Sequence, residues 1–189
     1  MHETLAFINA SFMCSRIPVP NKGKPMKDFK ELLETASDYN EFVGSGSEED
    51  RNALRHFEVL ANKALPDDVI SKLSQLPGSY SILVAAEMWC PDCHKNLPVI
   101  HAVAASAPAI RLGIVTRNKA EAVFKAHFGV EKVKIPFAVI LDENATPLGQ
   151  FIERPENATG KNGEVIESYK NGELLAETAR EVTSIFPGK

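Results

Sequence analysis

The sequence predicts an α/β fold in which a central mixed sheet is flanked by helices and preceded by a helical subdomain. A strand-helix-strand pattern over residues 80–116 and a hairpin pattern over residues 137–152 predict the sheet. Helical periodicity, interrupted by Pro and Gly breakers, predicts the helices that come first. We therefore expect two parts, a helical N-terminal extension over residues 1–76 and an α/β domain over residues 77–189.

Apolar spacing and breakers locate the helices of the extension. A first helix is expected to end near Ser15, before a loop rich in Pro and Gly. A second helix should begin near Met26, a third should have Ser47 as its N-cap, and a short fourth should cover residues 67–76. Cys14 stands alone on the apolar face of the first helix, and we expect it to be buried as a small hydrophobic residue.

The strand-helix-strand unit is predicted from hydrophobic patterns alone. Tyr80–Ala86 is an almost unbroken apolar run, which is typical of a strand buried on both faces. Helical spacing over residues 97–107 predicts the next helix, with Pro91 in its first turn. A second strand is expected at Ile110–Thr116, and the crossover implies parallel pairing.

The C-terminal half completes the sheet. Asn118, followed three residues later by Glu121, resembles a capping box and predicts a helix that ends at Gly129. The third and fourth strands are expected at residues 137–141 and 148–152, paired antiparallel across a turn. The residues after this hairpin are mostly helical by periodicity.

Composition excludes several classes of partner. The chain has 44% hydrophobic residues, a net charge of −4 and an isoelectric point near 5.8, so we expect neither nucleic acid nor an anionic membrane as a partner. No stretch is long enough to span a bilayer. Three cysteines, two of them in one motif, do not form a disulfide scaffold, and they favour a reducing cytoplasm.

The chemistry of the chain is concentrated in Cys90 and Cys93. Two thiols three residues apart at the start of a helix can close and reopen a disulfide. The thiolate is the attacking species, and a helix N-terminus stabilises it. Cys90 is therefore the expected nucleophile, and Cys93 is the expected resolving thiol. Pro91 and Asp92 should tune the reduction potential, since a carboxylate beside the pair opposes thiolate formation, although the net direction stays open.

A zinc site and inert burial are the two alternatives for the cysteines. The pair is half of a zinc motif, but no second pair exists, and His94 and His101 follow it too closely for a zinc finger. Inert burial is the other alternative, and the position between a strand and a helix argues against it. The two histidines lie on one helical face and are expected to be solvated.

Three elements in the expected order resemble the thioredoxin superfamily. They are Trp89-Cys-Pro-Asp-Cys93, Pro98 five residues later, and Ile135-Pro136 ahead of the last hairpin. The resemblance implies a thioredoxin-like fold, with Pro136 as a cis-proline facing the sulfurs and Ile135 offering backbone bonds to an extended substrate. Trp89, the single Trp of the chain, stands directly before the nucleophile, where we expect it to shield the sulfur and contact substrate; an ordinary core residue is the alternative.

A closer resemblance is to a thioredoxin-like branch with a helical N-terminal extension. Its features here are the segment at residues 38–42, the Trp-Cys-x-Asp-Cys site, and the dipeptide Arg154-Pro155. The Cys-Pro-Asp-Cys variant also resembles small disulfide-reducing proteins of the eukaryotic cytosol. The buried acid usual in thioredoxins is replaced by Val84. Glu87 is a candidate substitute for proton transfer, and a solvated acid at a strand end is the alternative.

The sequence thus predicts a cytoplasmic thiol-disulfide oxidoreductase whose redox group is the Cys90–Cys93 disulfide, with no further cofactor and no metal. Its expected partners are protein or small-molecule disulfides and an upstream thiol reductant. The alternative is a thioredoxin-fold adaptor or redox sensor without efficient turnover. A peroxidase is a weaker third hypothesis, because no peroxide-activating Thr/Cys/Arg cluster is recognisable.

Overall fold

The computed structural model describes residues 28–188. The first predicted helix, the start of the second and Cys14 lie outside the described residues. Among residues 28–188, no helix is both long and apolar enough to cross a membrane.

A four-stranded mixed sheet forms the centre of the fold. Strand β1 (Tyr80–Ala86) pairs parallel with β2 (Ile110–Thr116) and antiparallel with β3 (Phe137–Leu141). Strand β4 (Pro147–Ile152) pairs antiparallel with β3, which makes the order β2-β1-β3-β4. Helices flank this sheet, so the predicted α/β class and the predicted pairing are confirmed.

Helices account for most of the remaining described chain. They are α1 (Phe29–Glu34), α2 (Tyr39–Gly44), α3 (Glu48–Ala64), α4 (Asp67–Leu73), α5 (Pro91–Ala105), α6 (Arg117–Phe128), α7 (Glu164–Lys170) and α8 (Leu175–Ser184). Helix α5 packs with α3 and α8, whereas α6 packs with α1 and against β1 and β2. The sheet is therefore covered by two groups of helices, and α5 lies within one of them.

Side-chain caps fix several helix starts. Ser47 forms a capping box with Asp50 at the start of α3, as predicted. The predicted start of α6 was two residues late: Thr116 is the N-cap, and its hydroxyl accepts a hydrogen bond from the Lys119 N–H. Thr116 still has extended backbone angles as the last residue of β2, so strand and helix join without a loop. Gly129 ends α6 in the left-handed conformation, as predicted.

The N-terminal helices share the core of the sheet. Buried residues of α1 to α4 belong to the same hydrophobic cluster as β1 and β3. Between α1 and α2, Ser37 exchanges two backbone hydrogen bonds of 2.9 Å with Ile114, which extends the sheet by one bridge beyond β2. The domain boundary between residues 76 and 77 stays a prediction. The helices before it share one hydrophobic core with the sheet.

Candidate active site

Cys90 and Cys93 lie where β1 leads into α5. Cys90 is the N-cap of α5, and Cys93 follows in its first turn, behind Pro91 at the first helical position. Only 6% of Cys90 and 1% of Cys93 is exposed, and both are free thiols. The Cys90 Sγ lies 3.5 Å from the carbonyl oxygen of Ile135, to which it donates. The fold thus brings the two predicted thiols and a residue 45 positions away into contact.

The two thiols differ in acidity. A hydrogen bond from the Cys93 side chain lowers the pKa of Cys90 to about 7, and backbone bonds from Cys93 and Asp92 act in the same direction. Burial raises the pKa of Cys93, and its bond to the Cys90 sulfur raises it further. Near neutral pH Cys90 is therefore partly ionised, while Cys93 keeps its proton.

The segment facing Cys90 precedes β3. The peptide bond between Ile135 and Pro136 is cis, as the resemblance implies. The Pro136 carbonyl accepts a 2.8 Å hydrogen bond from the Glu153 N–H, and the Glu153 carboxylate lies 3.2 Å from Lys134 Nζ. This segment is therefore bonded to the loop after β4 on both sides of the proline.

Trp89 is the exposed member of the motif. Its side chain, 59% of which is exposed, lies under the Arg117 guanidinium, 5.9 Å from the ring centroid. Together with Met88 and the turn between α2 and α3, it lines a cavity of about 340 Å³. Because Trp89 is not buried as a core residue, its face is available to a molecule that approaches Cys90.

Asp92 is held by a planar clamp. Its Oδ1 accepts from Arg154 Nε at 3.2 Å and from the Tyr169 hydroxyl at 2.9 Å, and its Oδ2 accepts from Arg154 Nη2 at 3.0 Å. The guanidinium also lies 5.4 Å from the centroid of the Tyr169 ring. A bidentate arginine–carboxylate pair fixes both distance and orientation. The charge beside Cys90 is therefore balanced rather than free.

Asn96 joins this clamp to the core. Its amide nitrogen donates to the carbonyls of Asp92 and Glu153, at 3.2 and 2.9 Å, and lies 2.7 Å from the Tyr169 hydroxyl. Its carbonyl accepts from the Thr178 hydroxyl at 2.8 Å. The side chain is fully buried, so these bonds replace water that it cannot reach.

Comparison with known proteins gives the family of the chain. The thioredoxin family model matches residues 36–180, which is most of the chain and includes both cysteines and the cis-proline. The chain belongs to the thioredoxin family. The match begins inside the helical region that precedes β1.

Two solved structures resemble this thioredoxin-family chain over most of its length. A protein of unknown function from Pseudomonas aeruginosa is 31% identical, with a TM-score of 0.80 over 85% of this chain and 97% of that one. An HIV epitope scaffold is also 31% identical, with a TM-score of 0.79 over 84% of this chain and 97% of that one. A comparison with curated proteins found no match.

The position of the usual thioredoxin acid is apolar in this family member. Val84 is completely buried in β1, between β2 and β3. The candidate substitute, Glu87, is half-buried, and its carboxylate accepts a 3.0 Å hydrogen bond from the Arg117 N–H at the start of α6. Glu87 therefore has a role in joining β1 to α6, and proton transfer by Glu87 stays a prediction.

The expectation that both motif-helix histidines are solvated was wrong. His94 is buried, and its Nε2 hydrogen-bonds the Met88 carbonyl with Asp50 Oδ1 3.9 Å away. His101 is half-buried and stacks on Tyr39, with ring centroids 3.9 Å apart. The reason is that α3 and α2 cover this face of α5, which periodicity within α5 alone cannot reveal. Across residues 28–188, no cluster of three or more His, Cys, Asp or Glu side chains could hold a metal ion.

Four residues of the site were not found by sequence reasoning as members of it. The sequence marks Arg154 only as part of the Arg154-Pro155 dipeptide, and no pattern points to Asn96, Tyr169 or Lys95. Lys95 is buried, with Nζ 2.9 Å from the Pro91 carbonyl and 5.7 Å from the Tyr169 ring centroid, and burial lowers its pKa. A Lys two residues after a motif cysteine and an Asn four residues after Asp92 were the only local signals.

Proposed function

We propose that this thioredoxin-family chain is a thiol-disulfide oxidoreductase in which Cys90 attacks and Cys93 resolves. The observation that carries the proposal is the contrast between two neighbouring thiols. The pKa of Cys90 is lowered to about 7, whereas that of Cys93 is raised by burial. A thiolate beside a protonated thiol is the starting state for disulfide exchange near neutral pH.

The proposed reaction transfers two electrons. The Cys90 thiolate attacks one sulfur of a substrate disulfide, forms a mixed disulfide and releases the other substrate sulfur as a thiolate. Cys93 then loses its proton and attacks the Cys90 sulfur, which releases the second substrate thiol and leaves the Cys90–Cys93 disulfide. The substrate is reduced and the protein dithiol is oxidised. An upstream thiol reductant must restore the dithiol.

The residues around the sulfurs supply a surface for the substrate. Trp89 presents an exposed ring on one side, and the Ile135–Pro136 segment lies against Cys90 on the other. An extended peptide can bond to backbone groups of such a segment, as in strand addition. The proposed substrates are protein or small-molecule disulfides, the redox-active pair needs no further cofactor, and a reducing compartment such as the cytoplasm suits net reduction.

The closer resemblance is also part of this proposal. We place the chain in the branch with a helical N-terminal extension and a Trp-Cys-x-Asp-Cys site. In support, α2 begins at Tyr39 with Asp38 as its N-cap, inside the segment that suggested the branch. Arg154, from the second such segment, bonds to the Asp of the motif. Both signature segments therefore have defined places in the fold.

Trapping of the intermediate tests the proposal. In a Cys14→Ser background, which removes the third cysteine, the reduced protein should reduce glutathione disulfide and a disulfide-bonded peptide. Cys93→Ser should accumulate a mixed disulfide on Cys90, detected by its added mass and lost on reduction. Cys90→Ser should form none, because a buried Cys93 with a raised pKa is a poor nucleophile.

The oxidoreductase proposal fails if the reduced protein passes no electrons to either disulfide and Cys93→Ser traps nothing. A redox sensor or adaptor is the second candidate. It is favoured by the burial of both sulfurs and by Val84, which leaves Cys93 without the usual proton acceptor. For that candidate, oxidation should be slow and should change binding rather than support turnover.

A further inference from the structure

We propose that Arg154 and Tyr169 are positioning residues that hold the Asp92 carboxylate and balance its charge, so that the dithiol site favours the Cys90 thiolate. This inference rests on the proposed oxidoreductase function, since it concerns the attacking sulfur of the same site. It assigns a task to two residues that lie 62 and 77 positions from Asp92 in the chain. Neither residue contacts the sulfurs in a hydrogen bond of its own.

The clamp formed by Arg154 and Tyr169 around Asp92 is hydrogen-bonded and partly buried. The side chain of Asp92 is 16% exposed and that of Arg154 is 32% exposed, so water only partly screens the pair. Both carboxylate oxygens are engaged, and the Tyr169 hydroxyl adds a third bond. Tyr169 is itself buried and bonded to Asn96, so the clamp rests on a rigid support.

The clamp acts on Cys90 in two ways. The negative charge of Asp92, two residues after Cys90, raises the pKa of Cys90, and a guanidinium paired with that charge offsets it. A backbone hydrogen bond from Asp92 to the Cys90 sulfur has the opposite effect and lowers the pKa. Fixing Asp92 keeps this backbone donor in place while its side-chain charge is neutralised. With Arg154 present, the site therefore keeps the backbone donor of Asp92 while the opposing effect of its carboxylate is reduced.

Other titratable or charged groups surround Cys90, and none replaces the clamp. From α5 come Cys93, Asp92, His94 and Lys95; Arg117 is the first residue of α6, and Tyr169 lies in α7; Glu87, Lys134, Glu153 and Arg154 come from the loops. Lys95 bonds to the Pro91 carbonyl, and burial lowers its pKa. Lys134 pairs with Glu153, and Arg117 lies over Trp89. Arg154 is the cation seen bonded to the Asp92 carboxylate among the described residues.

Titration of Cys90 tests this inference without any need for turnover. In the Cys14→Ser background, the pH dependence of alkylation of Cys90 and of thiolate absorbance would be compared for Arg154→Gln, Arg154→Lys and Tyr169→Phe. We expect Arg154→Gln to lower the alkylation rate at pH 6 about fivefold, because the uncompensated carboxylate opposes ionisation. Arg154→Lys keeps the positive charge but not the bidentate hydrogen bonds, so it should restore part of the alkylation rate. Tyr169→Phe should lower the rate less than Arg154→Gln does.

Arg180→Gln is the matched control. Arg180 also forms a salt bridge with an aspartate, Asp68, at 3.4 Å, but on the outer face of α8. The same loss of charge there should leave the titration of Cys90 unchanged. An equal effect of Arg180→Gln and Arg154→Gln would overturn the inference, because it would show a general effect of net charge.

Asp92→Asn keeps the inference testable even if Arg154→Gln does not fold. Removing the carboxylate should raise the alkylation rate at pH 6, and the double variant Asp92→Asn/Arg154→Gln should titrate close to the parent protein. Unchanged titration in folded Arg154→Gln, or no change in Asp92→Asn, would overturn the inference. A failure to reduce disulfides would instead overturn the proposed function, since the titration does not depend on it.

Discussion

Single residues set the chemistry of the site through their positions at one helix start. Cys90 lies at the N-cap of α5, where backbone N–H groups lack helical partners, and Cys93 lies one turn inside and almost fully buried. The same helix start therefore favours the charged form of one sulfur and the neutral form of the other. Burial by the surrounding core keeps Cys93 neutral, and Arg154 offsets the charge that Asp92 adds beside Cys90.

The acidity of Cys90 leads to a prediction for its reactivity. Alkylation of Cys90 should be half-maximal near pH 7, since the pKa is lowered to about 7 and only the thiolate reacts. Below pH 7 the rate should fall about tenfold per pH unit, and above pH 7 it should level off. A free thiol, with a pKa of roughly 8.5, is still mostly protonated at pH 7. The measurement is the rate of iodoacetamide modification of the Cys14→Ser protein from pH 5 to 9. A midpoint at or above that of a free thiol would contradict it.

At the level of residues, the sequence was sufficient for groups that act within a few positions of each other. Cys90, Cys93 and Pro91 could be assigned because the strand run, the motif and the helical spacing are contiguous. Arg154 and Tyr169 could not, because each comes from a segment whose own pattern says nothing about Asp92. The burial of His94 could not be predicted for the same reason, since α3, which carries Asp50, covers this face of α5.

At the level of secondary structure, the end of α1 packs closely against β2, the strand beside β1. Gly113 in β2 faces the end of α1, where an added Cβ would lie 2.9 Å from the Ala36 Cβ. The backbone bridge between Ser37 and Ile114 follows one residue later. Close approach of these two backbones therefore holds the segment after α1 against β2.

Gly113→Ala tests this docking. The added methyl group would lie 2.9 Å from the Ala36 Cβ, which no side-chain rotation can move away, so we expect the free energy of unfolding to fall by about 1–3 kcal/mol. Gly44→Ala is the matched control, because it ends α2 with no atom within 4 Å of an added Cβ. That substitution should leave stability unchanged or raise it by up to about 1 kcal/mol. Chemical denaturation of both variants measures the difference, and equal midpoints would refute the role of the close contact.

A buried polar network joins α5 to α7, α8 and the loop after β4. Asn96 contributes to it from α5, Tyr169 from α7 and Thr178 from α8, and the Glu153 carbonyl joins it from the loop after β4. Helix α8 also carries Thr183, a buried threonine whose hydroxyl has no hydrogen-bond partner within the described residues. The same helix thus offers a bonded and an unbonded threonine for comparison.

The two threonines should respond oppositely to the same substitution. Thr178→Val removes the donor to the buried Asn96 carbonyl and should lower the free energy of unfolding by about 1–3 kcal/mol. Thr183→Val removes a hydroxyl without a partner and should be neutral or stabilising, because burying an unpaired polar group has a cost. Thermal and chemical unfolding of both variants gives the comparison. Destabilisation by Thr183→Val as large as that by Thr178→Val would show that shape, not hydrogen bonding, decides at these positions.

The sequence by itself determined the α/β class, the four strands and the place of Cys90 and Cys93 at the end of β1. Those features depend on the periodicity of adjacent residues, which reports locally whether a segment forms a strand or a helix. Only the tertiary structure decided which distant side chains surround the motif. Arg154 and Tyr169 reach Asp92 because α8 packs against both α5 and β4, which brings the loop after β4 and helix α7 to the start of α5. The hydrophobic pattern of one segment does not report which other segments pack against it.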